Sequence, residues 1–123
     1  HADAAVVERA KMRGALAIPG FATPTEAFAM LRAGADALKL FPAEAAPPSV
    51  LKAMRAVLPA DVPILPVGGI TPEVMAGYVA AGAAGFGLGS ALYRPGDDPS
   101  TVARKARSFQ AAWRDLQAAS AGQ

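Results

Sequence analysis

The sequence predicts an α/β fold of four parallel strand–helix units preceded by a helix, the C-terminal half of a (β/α)8 TIM barrel. Three observations lead there. Short apolar runs alternate with amphipathic stretches along the chain, joined by brief turns rich in Gly and Pro, as in parallel βα units. The chain also repeats itself: Thr23-Pro24 recurs as Thr71-Pro72, Gly20 as Gly68, Ala33-Gly34-Ala35 as Ala81-Gly82-Ala83 and Leu40 as Leu88, each 48 residues on. Finally, 123 residues hold four units, whereas a closed eight-unit barrel typically takes about 250. An open four-stranded α/β sheet complete in itself fits the same pattern. The start at His1, with no initiator methionine and no leader-like apolar stretch, favours the half barrel. One partial domain is therefore expected over 1–123, with a small flexible tail at 117–123.

Taken in order, Ala2 to Arg13 suits a helix capped by Asp3, with Val6, Val7 and Ala10 as its apolar stripe and Gly14 closing it. Ala15 to Ile18 reads as a strand. Thr23-Pro24-Thr25-Glu26 puts a capping hydroxyl before a proline and an acid in the first turn, opening a helix that ends near Gly34. Asp36 to Phe41 is the next strand, Pro48 to Leu58 the next helix and Pro63 to Val67 another strand. Thr71-Pro72-Glu73 repeats the start signal for a helix to about Ala81. A strand at Gly85 to Leu88 follows, then an amphipathic helix from about Pro99 to Leu116.

Composition removes several kinds of chemistry. Without cysteine there is no disulfide, thiolate nucleophile, iron–sulfur cluster or cysteine-bound zinc. The lone histidine is residue 1, which leaves no basis for histidine triads or multi-histidine metal sites. A net charge of +2, basic residues interleaved with acids and 7% aromatics give no nucleic-acid surface. Apolar runs such as Ala81 to Leu88 fall far short of the roughly 18 residues of a membrane span.

Lys39 is the most informative residue. In Ala37-Leu38-Lys39-Leu40-Phe41 the side chains alternate, so Ala37, Lys39 and Phe41 share one face and Leu38 and Leu40 the other. The leucines suit the helix-covered outside of a barrel, which puts the lysine inside. Taking an ammonium out of water disfavours its charged form and yields the neutral amine that attacks a ketone. The alternative is a lysine that snorkels to solvent or pairs with Asp36 or Glu44. Glycine turns after the last two strands, Gly68-Gly69 and Gly87-Leu88-Gly89-Ser90, are the second clue. Glycine lets backbone N–H groups approach an anion, and barrel enzymes commonly seat a phosphate after strands seven and eight. Plain turn glycine is the competing account. Among carboxylates, Glu26 and Glu73 read as first-turn acids and Asp36 sits at the wrong strand end. Glu44 is close to Lys39 in the chain but reads as a solvated loop acid. Tyr78, Phe109 and Trp113 fall on helix stripes as core or interface residues.

With Lys39-Leu40-Phe41-Pro42-Ala43-Glu44, Pro66-Val67-Gly68-Gly69-Ile70 and Gly87-Leu88-Gly89-Ser90 in this order, the chain resembles the class I aldolases of 2-keto-3-deoxy-6-phospho sugar acids. Pro19-Gly20 followed by Thr23-Pro24 and Glu26 strengthens the likeness. It covers nearly all 123 residues but only the C-terminal half, or slightly more, of a family member. Threonine before the paired glycines is typical of the phosphogluconate branch and valine of the phosphogalactonate branch. Val67 and the segment from Gly87 to Tyr93 thus resemble the latter, whereas Lys39 to Glu44 is closer to the former.

The resemblance implies that Lys39 forms the Schiff base, Phe41 packs beside it and Val67 faces the sugar hydroxyls. It assigns the phosphate to Gly68, Gly69, Gly89 and Ser90. It implies no metal or organic cofactor, a phosphorylated sugar-acid substrate with pyruvate as product, no nucleic-acid or membrane partner, a homotrimeric parent and a cytoplasmic setting. The family's glutamate base and carboxylate-binding arginine belong to early strands and have no counterpart in these residues, so the chain is expected to be a truncated portion, inactive alone. A non-catalytic phosphate-binding half barrel, and another phosphate-binding barrel enzyme such as an isomerase or thiamin phosphate synthase relative, stand as alternatives.

Overall fold

The computed structural model describes residues 1–121. Its elements run α1 (Ala4–Met12), β1 (Gly20–Phe21), α2 (Pro24–Arg32), β2 (Leu38–Leu40), a 3-10 turn (Ala43–Ala45), α3 (Pro48–Arg55), β3 (Ile64–Pro66), α4 (Pro72–Ala80) and α5 (Pro99–Ala121). The three strands pair in chain order and in parallel, with Gly20 opposite Lys39 and Lys39 opposite Leu65. Parallel neighbours need a crossover, and α2 and α3 supply one each.

The repeat holds at the level of single hydrogen bonds. Helices α2 and α4 have the same length and begin and end 48 residues apart. Each closes on a left-handed glycine, Gly34 at φ 97° and Gly82 at φ 98°. The next residue's N–H donates back into the helix in both cases, Ala35 to Met30 O at 3.1 Å and Ala83 to Tyr78 O at 2.9 Å. This cap reverses the chain within two residues and needs the freedom of glycine. The starts differ. Thr23 forms a full capping box with Glu26, but Thr71 caps α4 without a side-chain bond to the backbone. Its acid, Glu73, stands one position nearer the cap, where the Thr71 hydroxyl holds the carboxyl below the usual carboxylate range.

Both strand predictions at the sheet edges need correction. The run Ala15 to Ile18 forms no strand, and pairing begins after Pro19, at Gly20. Leu16 and Ile18 stay exposed, while Ala17 is tied to Asp36 through its N–H and its carbonyl. At the other edge, Gly85 to Leu88 makes one bridge, Val67 with Gly87, flanked by Ala84 N–H to Ile64 O at 2.9 Å. Glycines weaken a strand interior, and a ladder flanked on one side only has few bonds to hold it. In α1 only Val7 of the expected stripe is buried, and Val6 is 58% exposed. Helix α5 continues to Ala121, past Leu116, and the remainder of the expected tail, 122–123, lies outside the described residues.

The core lies between the sheet and its helices. Leu38, Leu40, Ile64 and Pro66 point into it and are fully buried, as is Leu51 from α3. Helix α5 packs on α4, with Phe109 buried and Trp113 meeting Phe86 edge-on at 6.0 Å. Lys39 and Leu65 are only partly buried on the opposite face, the one-sided cover of a barrel strand, whose inner face turns away from the helices.

Candidate active site

The alternation read from the sequence holds on β2: Leu38 and Leu40 are at 0% exposure, and Lys39 between them emerges on the other face. Gly20, Lys39 and Leu65 form one row across the sheet. Because Gly20 has no side chain, the lysine stem leans over β1, with Cε 3.3 Å from where a Cβ on Gly20 would stand. The ammonium lies 5.5 Å from the centre of the Phe41 ring, within cation–π range. It pairs with neither Asp36 nor Glu44. Asp36 sits at the far end of the strand, where Lys11 bonds it at 2.7 and 2.8 Å and the Ala17 N–H at 2.7 Å. Those bonds, the lysine's first, hold its carboxyl below the usual range.

Beyond the carboxyl ends of β2 and β3 lies a cleft of about 420 Å³. Phe41, Val67, Gly68, Gly69, Gly89 and Ser90, six of the seven residues singled out in the sequence, line it together. The seventh, Lys39, opens on a neighbouring hollow of about 280 Å³ against α1 and the segment from Leu16 to Gly20. Phe41, 52% exposed, meets both: its ring lies near Lys39 Nζ and it lines the cleft.

The cleft floor is the loop after β2, crossing a cis Phe41-Pro42 bond. Ala43 N–H donates to Val67 O at 2.8 Å and Val67 N–H to Leu40 O at 3.0 Å, which locks this loop to the end of β3. The 3-10 turn then lays Glu44 against Gly68 and Gly69, whose φ values of 106° and 63° are left-handed. A Cβ on Gly68 would overlap the Glu44 carboxylate, and one on Gly69 would lie 2.6 Å from its Cγ. Glu44 is exposed, as a loop acid should be, and it also lines the cleft. Gly87 has a packing reason too, since its Cβ would come within 2.5 Å of Val67 Cγ2. Gly89 has none: nothing stands within 4 Å of its missing Cβ, and its φ is not left-handed.

Two residues here escaped the sequence reading. Tyr78, recognised only as a core residue, sends its hydroxyl from α4 to Ala43 O at 2.9 Å and Ala46 O at 3.2 Å. It thereby fixes the turn that carries Glu44, and burial followed by the Glu44 charge raises its phenol above the ordinary range. Arg94 lines the cleft beside Ser90. An arginine four residues past a turn serine was the only signal for it, and that spacing is common in loops.

A family model described as "Aldolase: KDPG and KHG aldolase" matches residues 2–100. The chain is 49% identical over 110 residues to the 2-dehydro-3-deoxy-6-phosphogalactonate aldolase of Escherichia coli (strain K12), covering 89% of this chain and 54% of that protein. It is 44% identical over 113 residues to a probable enzyme of the same name from Rhizobium meliloti (strain 1021), covering 92% and 53%. A solved structure described as native KDPGal superposes with a TM-score of 0.91 at 47% identity, over 93% of this chain and 55% of that one. The chain thus spans about half the length of the curated relatives it matches.

Proposed function

Since the chain belongs to the KDPG and KHG aldolase family, we propose that it carries the Schiff-base and phosphate-binding part of a class I aldolase site. The observation that carries this reading is the pairing of Lys39 with Phe41, a residue that itself lines the cleft. The proposed substrate is 2-dehydro-3-deoxy-6-phosphogalactonate, after the name of the Escherichia coli relative and the valine at position 67.

In this reading the Lys39 amine adds to the substrate's C2 ketone and expels its oxygen as water, leaving an iminium. A base takes the proton of the C4 hydroxyl, its oxygen becomes the aldehyde carbonyl, and the electron pair of the breaking C3–C4 bond passes to the iminium. Glyceraldehyde 3-phosphate departs, the enamine gains a proton at C3, and water releases pyruvate and the free amine. Val67 faces the sugar hydroxyls, and Gly68, Gly69, Gly89 and Ser90 receive the phosphate. Gly89 supports that role, because neither its backbone angle nor a neighbour demands glycine, whereas close approach of an anion does. Proton transfer requires a base, and loss of one typically costs about 10²- to 10⁴-fold. The 123 residues alone are accordingly proposed to form the imine without rapid turnover.

The test is reaction of the folded chain with pyruvate and borohydride, followed by intact mass and peptide mapping. An adduct on Lys39, absent from Lys39→Ala, is the expected result. A folded chain that traps nothing would refute the Schiff-base role. That outcome would favour a non-catalytic phosphate-binding half barrel, a reading motivated by the separation of Lys39 from the glycine-lined cleft. Comparing turnover of the galactonate and gluconate epimers in a complete enzyme carrying Val67 or Val67→Thr tests the choice of branch.

A further inference from the structure

We propose that Arg94 is a further ligand-binding residue of the cleft, the cation that selects a substrate bearing a phosphate dianion at the Gly89-Ser90 turn. This rests on the aldolase reading above and adds to it a residue that neither the glycine turns nor the lysine brings to mind.

The argument begins with charge. Of the residues lining the cleft, only Glu44 and Arg94 are of charged type. Glu44 lies directly against the Gly68-Gly69 turn, so its carboxylate repels any dianion seated there. Backbone N–H groups supply partial charges, and a full positive charge is needed to offset that repulsion. Lys39 is held over Phe41 in the adjacent hollow, which leaves Arg94 as the cation of this cleft.

Geometry agrees. The Arg94 Nε–H donates to Ser90 O at 3.3 Å, which sets the guanidinium beside the turn. Its two terminal nitrogens have no hydrogen-bond partner among the described residues. They form a fork, the shape that matches two phosphate oxygens. The segment is also held in place. Leu92 and Tyr93 N–H groups donate to Gly89 O at 2.9 and 3.1 Å, and Arg94 N–H donates to Asp97 Oδ2 at 2.9 Å. Asp97 is in turn bound by Lys105 of α5 at 2.6 Å. A ligand thus meets an arginine whose backbone is already fixed, which lowers the ordering cost of binding.

Inorganic phosphate, titrated into the folded chain by calorimetry at low ionic strength, is the probe. Arg94→Gln is expected to weaken phosphate binding about tenfold, the effect of losing one charge-assisted, partly solvated contact. Arg94→Lys, which keeps the charge but not the fork, should recover part of that loss. Unchanged phosphate affinity in Arg94→Gln, or no phosphate binding by the unsubstituted chain, would overturn the proposal. Borohydride trapping of pyruvate is run on the same proteins, because pyruvate carries no phosphate. Trapping at Lys39 that survives Arg94→Gln supports a role confined to the phosphate. Trapping lost along with phosphate binding, in a variant of unchanged circular dichroism, overturns it. Failure of trapping in the unsubstituted chain would count against the aldolase reading, and the phosphate titration would still decide Arg94.

Discussion

Replacing Gly69 by alanine separates two reasons for a glycine. Its φ of 63° lies in the left-handed well, where an alanine costs about 1 to 2 kcal/mol. The new Cβ would also stand 2.6 Å from Glu44 Cγ and 3.0 Å from Cδ, well inside the roughly 3.5–4.0 Å of a favourable carbon contact. Cγ is close to the Glu44 backbone, so relief requires a rotamer change or a shift of the 3-10 turn, about 1 to 3 kcal/mol of overpacking. Gly69→Ala should therefore cost about 2 to 5 kcal/mol in all, and the same change in a Glu44→Ala background only the backbone share of about 1 to 2. Gly68→Ala behaves differently. Its φ of 106° is unsuited to any side chain, and the atom it meets is the free end of Glu44, which swings away. Removing Glu44 should not rescue it. Urea unfolding of the six proteins, followed by circular dichroism, gives the coupling energies from midpoints at constant slope. If Gly69→Ala and Glu44→Ala add to within about 0.5 kcal/mol, the contact between turn and carboxylate is not the source of the cost.

Tyr78→Phe should cost about 1 kcal/mol, because Ala43 O keeps a bond from the Ala46 N–H while Ala46 O loses the phenol; the same denaturation assay reads it. The raised Tyr78 phenol also gives an alkaline signature. The unfolded chain loses that proton first, from about pH 10 upward, so stability declines there in the wild type and the slope shrinks in Tyr78→Phe. At the acid end, Asp36 has a depressed folded-state value, so its share of stability is complete above the unfolded value near pH 4 and disappears as pH falls through the folded one. The difference in melting temperature between wild type and Asp36→Asn should accordingly narrow below about pH 4; a difference constant from pH 6 to pH 3 would contradict the Lys11 pairing.

Much of this molecule was readable in the sequence where local chemistry and tertiary need coincide. Thr23 and Glu26 announce a helix start and Gly34 its end, and both occur where the sequence puts them. The inward lysine followed from two flanking leucines. What escaped depends on neighbours brought together only by folding. Whether Gly85 to Leu88 pairs depends on how many strands flank it, which no local pattern reports. Glu44 is exposed as read, but nothing in its own segment reveals that two glycines 24 and 25 residues on leave room against it. The Tyr78 hydroxyl is likewise uninformative until α4 lies beneath the loop after β2. That Lys39 opens on a hollow apart from the cleft is likewise set by three dimensions alone.

The place of β2 in the sheet bears on how motion is distributed around the lysine. Its amides are shared between both neighbours, Leu38 N–H with Pro63 O and Lys39 N–H with Pro19 O. Each amide is held by one neighbour and lies inside the sheet, flanked by a strand on either side, so these positions should be among the last to exchange with deuterated solvent. Gly87 to Ser90 hangs on a single bridge at the margin and should exchange among the first. Lys39 is thus mounted on the central strand and Gly87 to Ser90 on the sheet's free margin, so exchange at the two places should report separate openings of the fold.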